Sequence, residues 1–200
     1  MIAIIDYDAG NIKSVEKALI KLGGDVVITR DKETILKADH VILPGVGNFG
    51  DCMQKLEDYG LIPVIKQVVA NNTPFLGICL GLQLLFESSE EAEGVPGLGI
   101  LKGKIVRIPD KGLKVPQIGW NSLDYKREGR LFKDIPEGAY VYFVHSFYLK
   151  ADNEEDVVAT TDYATCIHAS VERGNVFACQ FHPEKSSDVG LKILENFMAV

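Results

Sequence analysis

The sequence has no C-x-x-C pair and no His/Cys cluster at zinc-ligand spacing; its four cysteines, Cys52, Cys79, Cys166 and Cys179, are scattered. That excludes a zinc-finger or disulfide-framework protein and points to reduced thiols, one of them available for chemistry. It is short of bases: 21 Lys and Arg face 28 Asp and Glu, a net charge of −7. An acidic surface repels phosphate backbones, which argues against general nucleic-acid binding. It lacks a long apolar run. The longest nearly apolar stretch, FLGICLGLQLLF, is too short to span a bilayer and contains Gln83. The first residues, MIAIIDYD, carry no basic segment and meet Asp6 at once, so no secretory leader is expected and the localisation reads as cytoplasmic. There is no repeat, low-complexity tract or linker. What remains is an ordinary globular composition, 46% hydrophobic and 24% charged over 200 residues. It is enough for a sizeable core and fits one domain over residues 1–200.

The N-terminal half alternates strand and helix signals. Residues 2–7 (IAIIDY) form a buried-strand run, and Ile12, Val15, Leu19 and Leu22 then recur at helical spacing until Gly23-Gly24. DVVIT (25–29), HVILP (40–44) and FLGIC (75–79) are further strands, and LGLQLLFE is a helix directly after the last of them. Strand–helix alternation implies a mostly parallel central sheet flanked by helices. The C-terminal half differs. KGKIVRI, VPQIGWNSL, AYVYFVHSF, EDVVATT, TCIHASVE and NVFACQF read as strands with hairpin-length gaps, before a final helix over about 189–198. The expected fold is therefore α/β, with antiparallel strands added in the C-terminal half.

Three segments carry chemistry. Gly77-Ile78-Cys79-Leu80-Gly81 has the form G-x-nucleophile-x-G between a strand and a helix. There a nucleophile sits exposed on a sharp turn, and the helix start favours the reactive thiolate. The Leu80 amide is placed to donate to an oxyanion. The pentapeptide alone is equally compatible with a buried structural cysteine between packing glycines. His182-Pro183-Glu184 follows the strand NVFACQF. Proline disfavours helical backbone at His182, and in extended chain residues i and i+2 share a side, so Glu184 can reach the imidazole. A base held by an acid is the second half of a Cys-His-acid triad. The other three histidines, His40, His145 and His168, have no acid two residues on. The third segment, Gly45-Val46-Gly47-Asn48-Phe49-Gly50, fits G-x-G-x-x-G, but it follows the third strand and has no acidic residue near twenty positions on. Its glycines equally let backbone amides approach a ligand, with Val46 or Gly47 as a second oxyanion donor. Gln83, four residues after Cys79, shares its helix face and offers a polar group inside an apolar segment. Glu91 and His145-Ser146-Phe147 are weaker candidates. Trp120, the single tryptophan, reads as core or interface.

Together these motifs resemble the class I (triad) glutamine amidotransferases, with PGVG, GICLGLQLL and QFHPE in that family's order over nearly the whole chain. IDYDAGNIKSV, VPQIGWN, YFVHSF and FHPEKSS further resemble the glutaminase subunits of imidazole glycerol phosphate synthases, which serve histidine biosynthesis. Gln117 departs from the histidine often found there. The resemblance implies a flavodoxin-like core, with Cys79 as nucleophile, His182 as base and Glu184 as orienting acid. It implies an oxyanion hole from the Val46 and Leu80 amides, the former after a flip of the PGVG peptide coupled to the partner. It places Gln83, Glu91, His145 and Ser146 around glutamine, and Trp120 and Lys185 near a (β/α)8-barrel cyclase subunit. No metal and no organic cofactor are implied.

The resembled architecture takes up all 200 residues and leaves none for an ammonia acceptor, so a partner subunit is expected. Two readings compete. The same hydrolysis could serve another acceptor, as in anthranilate or pyridoxal phosphate synthesis. A binding module would instead hold a nucleotide on GVGNFG and keep Cys79 structural.

Overall fold

The computed structural model describes residues 1–200. Five parallel strands make the centre: β1 (Ile2–Ile5), β2 (Val26–Thr29), β3 (His40–Leu43), β4 (Phe75–Ile78) and β13 (Val176–Cys179), in the order β2-β1-β3-β4-β13. Their side chains alternate between two cores. Ala3, Ile5, Val41, Leu43 and Phe75 face one, while Ile2, Ile4, Ile42, Leu76 and Ile78 face the other. This is the period-2 pleat of strands buried on both faces.

Helices cover both sides. α1 (Ile12–Lys21) and α6 (Ser187–Met198) pack on the second core through Val15, Leu19, Ile193 and Phe197. α2 (Lys32–Leu36), α3 (Phe49–Asp58), α4 (Ile62–Ala70) and α5 (Leu80–Leu84) supply Ile35, Phe49, Ile65 and Leu82 to the first. α2 was not expected from apolar spacing. Its signal is the cap, because the Asp31 carboxylate accepts from Thr34 N at 2.8 Å.

The C-terminal strands extend the sheet by antiparallel pairing. β12 (Thr165–Arg173) joins β13, and β10 (Phe147–Ala151) and β6 (Gly103–Arg107) follow, while the short β5 (Ser88–Ser89) pairs parallel to β6 at the edge. β11 (Val157–Tyr163) and the short β8 (Asp124–Tyr125) pair off the side of β12. β7 (Gln117–Ser122) and β9 (Tyr140–His145) form a separate two-stranded antiparallel ribbon. AYVYFVHSF is thus two strands, β9 and β10, which break at Ser146 and enter different sheets. No helix is long and apolar enough to cross a membrane.

Candidate active site

The chain leaves β4 and turns into α5 at Cys79, which has φ 54° and ψ −107°. Side chains rarely adopt positive φ, and holding one there costs about 1–3 kcal/mol. The flanking glycines make the turn possible. A methyl on Gly77 would lie 2.7 Å from Gly81 O, and one on Gly81 would run into the Leu43 carbonyl. The helix after the turn is shorter than the LGLQLLFE pattern predicts. It stops at Leu84 because the Leu84 and Leu85 carbonyls turn to the amides of Leu98 (2.8 Å), Ile100 (2.9 Å) and Leu101 (3.0 Å). One turn of helix carries little dipole, so the expected electrostatic help to the sulfur from that source is small.

Strand β13, next to β4, delivers the imidazole. His182 is extended, as its proline predicts, at φ −101° and ψ 97°. Residues Pro183–Lys185 then form a 3-10 turn rather than continuing the strand. Glu184 still meets the ring, with Oε1 at 2.7 Å from His182 Nδ1, but a tight turn brings it there instead of strand alternation. Both side chains are almost fully buried. The ribbon clamps this turn. Tyr142 O accepts from His182 N at 2.9 Å, and Tyr142 N donates to Ser186 Oγ at 2.9 Å. Burial penalises the imidazolium, but the adjoining Cys79 and Glu184 outweigh it and raise the His182 pKa to about 10. Its Nε2 has no hydrogen-bond partner.

Val46, Cys79, Leu80, Gln83, Glu91, His145, Ser146, His182 and Lys185 line one cavity of about 430 Å³. Every sequence-derived candidate is there except Glu184, which backs His182, and Trp120, which is exposed on β7 and packs edge-on against Tyr142. Val46 and Gly47 bring the glycine loop into this cavity. Its Asn48 side chain caps α3 by accepting from Gly50 N (2.8 Å) and Asp51 N (3.2 Å), so those amides are not open to a phosphate. The Leu80 amide, expected to face an oxyanion, donates to Gly45 O at 3.3 Å. Glu91 Oε2 accepts from Phe49 N at 2.8 Å.

His145 is held by Phe147 O, 2.8 Å from its Nδ1. A carbonyl only accepts, so the ring carries its proton on Nδ1. Burial, helped by the adjacent His182, depresses its pKa to about 4 and keeps it neutral. Its Nε2 lies 2.8 Å from Gln117 Oε1, and two acceptors cannot bond, so the Gln117 amide turns over. That nitrogen must accept, which assigns the amide NH2 of Gln117 to this contact.

Two residues of the site were not singled out from sequence. Asn11 Nδ2 donates to Glu184 Oε1 at 2.6 Å. Gln180 is fully buried and donates from Nε2 to Cys79 Sγ at 3.7 Å. Its signal was available: it stands two residues before His182 in the segment that continues β13, and residues i and i+2 of extended chain share a side. Asn11 is 173 positions from its partner, and nothing local announces it.

A cysteine on a strained strand–helix turn beside a buried His–Glu pair defines a hydrolase or transferase site of the thiol type. The match of residues 3–200 to the family described as Glutamine amidotransferase class-I fixes the class, and this chain belongs to that family. Among curated relatives, "Imidazole glycerol phosphate synthase subunit HisH" of Moorella thermoacetica is 52% identical over 98% of this chain and 93% of its own. The same-named protein of Aquifex aeolicus is 49% identical over 97% and 94%. Solved structures share the fold at lower identity. One titled as a glutamine amidotransferase superposes with TM-score 0.76 at 22% identity, covering 99% of this chain and all of that one. The Trypanosoma brucei CTPS glutaminase domain with bound acivicin gives 0.70 at 17% over 99% and 93%.

Proposed function

We infer that this protein is the glutaminase subunit of an imidazole glycerol phosphate synthase. It hydrolyses glutamine to glutamate and ammonia, and a cyclase subunit consumes the ammonia in histidine biosynthesis. Residues 1–200 act as one glutaminase domain in the cytoplasm. The observation that carries the catalytic assignment is the Glu184–His182 contact of 2.7 Å, with the ring's other nitrogen unpartnered beside the cavity that Cys79 lines.

His182, held as imidazolium by Cys79 and Glu184, keeps the proton given up by the thiol, and the Cys79 thiolate attacks the glutamine side-chain carbonyl. The tetrahedral intermediate collapses as the imidazolium protonates the departing nitrogen, which leaves as ammonia. Water, activated by the same ring, then cleaves the glutamyl thioester and restores the thiol. Glu184 stabilises the imidazolium throughout. No step calls for a metal or cofactor.

The oxyanion needs donors. Gly45 C=O and Val46 N–H belong to one peptide plane, and that carbonyl holds the Leu80 N–H. A single flip of the plane frees the Leu80 amide and swings the Val46 amide toward the site. The flip turns ψ of Gly45, a residue with no Cβ, and φ of Val46. Around the substrate, Gln83 keeps its oxygen as an acceptor, the Glu91 carboxylate attracts the α-ammonium, and His145 and Ser146 complete the pocket.

Ammonia released into water at neutral pH becomes ammonium, which is no nucleophile, so transfer through an enclosed path to the partner is required. Ile118, Trp120 and Tyr140 are exposed on the outer face of the β7–β9 ribbon, whose inner face carries Gln117 and His145. That face, with Lys185 at the cavity edge, docks the cyclase subunit, a (β/α)8 barrel. The test is glutamate release by this chain alone and with a cyclase subunit plus its nucleotide ligand. Strong turnover only in the mixture is expected. No turnover in a formed complex would contradict the assignment.

A further inference from the structure

Gln180 belongs to a buried chain of hydrogen bonds that has only one consistent direction. It starts at a backbone oxygen, Phe147 O, which can only accept. Gln83 Nε2 donates to that oxygen at 3.0 Å and to Gln180 Oε1 at 3.1 Å. Both protons of the Gln83 amide are then used. Since Gln180 receives a donor on its oxygen, its NH2 must be the end that faces the Cys79 sulfur, 3.7 Å away. The orientation of the amide is therefore dictated from the Phe147 carbonyl through Gln83. Gln180 has no exposed surface, so no water competes for these bonds.

The sulfur has a second polar neighbour, Val144 O, at 4.0 Å. The two neighbours favour different protonation states. A thiol can donate to the Val144 carbonyl, whereas a thiolate is repelled by it. A thiolate is a good acceptor for the Gln180 N–H, because hydrogen bonds to an ionised acceptor are roughly twice as strong as neutral ones. We propose that Gln180 is a further catalytic residue of the proposed glutaminase: its side-chain N–H holds the Cys79 thiolate, with its polarity locked by Gln83 and the Phe147 carbonyl. The same bond fixes Gln83 with its oxygen toward the substrate, so one residue sets both the nucleophile and a substrate contact. This rests on the reading of Cys79 as the nucleophile.

The test measures the sulfur rather than the turnover. Iodoacetamide alkylates a thiolate, forming a carbon–sulfur bond as iodide leaves, and mass spectrometry of the Cys79 peptide follows the rate against pH. Three proteins are compared: the unaltered chain, Gln180→Glu and Gln180→Met. Glutamate at 180 still accepts from Gln83 but turns an oxygen to the sulfur. Methionine removes both bonds at similar volume. Tyr7, Cys179 and His182 act on the sulfur directly, Glu184 acts through His182, and Glu91, His145 and Lys185 share its cavity. All stay in place, so their effects cancel in the comparison.

The pH midpoint of alkylation is expected to rise by about one unit in Gln180→Met, a tenfold loss of rate below the midpoint. It should rise further in Gln180→Glu. Equal midpoints in folded variants, whether or not glutamate is produced, would overturn the proposal. A shifted midpoint without glutaminase activity would sustain it while removing the proposed reaction. If neither variant folds, nuclear magnetic resonance of the unaltered chain decides. The resonance of one Gln180 Nε2 proton should shift with the same pH midpoint as Cys79 alkylation, and a Gln180 amide that does not respond to pH would refute the contact.

Discussion

The turn at Cys79 makes an unusual forecast: replacing this cysteine with glycine should stabilise the chain relative to replacing it with alanine. At most positions the order is the reverse, since glycine gains entropy on unfolding and costs about 0.4–1 kcal/mol. Here φ is 54° and ψ −107°, where a Cβ is strained by about 1–3 kcal/mol. Cys79→Ala keeps the Cβ and hence the strain, and Cys79→Gly releases it. Both lose the same sulfur contacts, with Gln180 and Val144, so those cancel. At the middle of those ranges the difference favours glycine by about 1.3 kcal/mol. For a chain of this size that raises the melting temperature by about 3–5 °C. Urea unfolding of the two variants, followed by circular dichroism, reads it directly. An alanine variant as stable as the glycine variant, or more so, would show that the turn stores no strain.

Gly81→Ala puts a methyl into the Leu43 carbonyl, a backbone atom that cannot move aside; loss of more than about 3 kcal/mol of stability, or no soluble protein, is expected. Gly94→Ala, where a methyl meets nothing within 4 Å at φ 81°, should cost only about 1 kcal/mol in the same denaturation assay. His145 carries a pH signature. Its folded pKa of about 4 lies below the ordinary value of 6.5, so the unfolded chain binds the extra proton. Its contribution is whole above pH 6.5 and is lost as pH falls through 4, about 3 kcal/mol in all. His145→Gln should flatten that acid limb of stability against pH, and an unchanged slope would show the ring protonated in the fold. Glu184→Gln keeps the shape but removes the charge facing the His182 imidazolium at 2.7 Å. A fall in kcat of about a hundredfold or more is expected in steady-state assays of the complex.

The parallel half of the fold was legible because its strands are continuous apolar runs and its helices repeat at 3.6 residues, as in IAII and Ile12-Val15-Leu19. The turn at Cys79 was legible for a related reason. The two glycines around Cys79 serve a backbone crossing that forbids a Cβ, and such a need writes itself into neighbouring residues. His182 and Glu184 were paired correctly through a partly wrong geometry, since proline fixed the histidine but a 3-10 turn, not a strand, carries the acid. What depends on distant partners did not show. Asn11 reaches Glu184 across the sheet, and the β7–β9 ribbon separates from strands of similar composition only because His145 and Phe147 enter different sheets. The length of α5 was misjudged because carbonyl competition from Leu98 to Leu101 has no signature in the helix itself.

The account stands on a covalent glutamyl intermediate at Cys79. Acid quenching of the complex with its cyclase subunit during turnover of isotopically labelled glutamine, followed by peptide mass spectrometry, tests it most directly. The account predicts a labelled glutamyl thioester on the Cys79 peptide, absent from Cys79→Ala, which should still bind the cyclase but release no glutamate. Glutamate release at an undiminished rate by Cys79→Ala would contradict it.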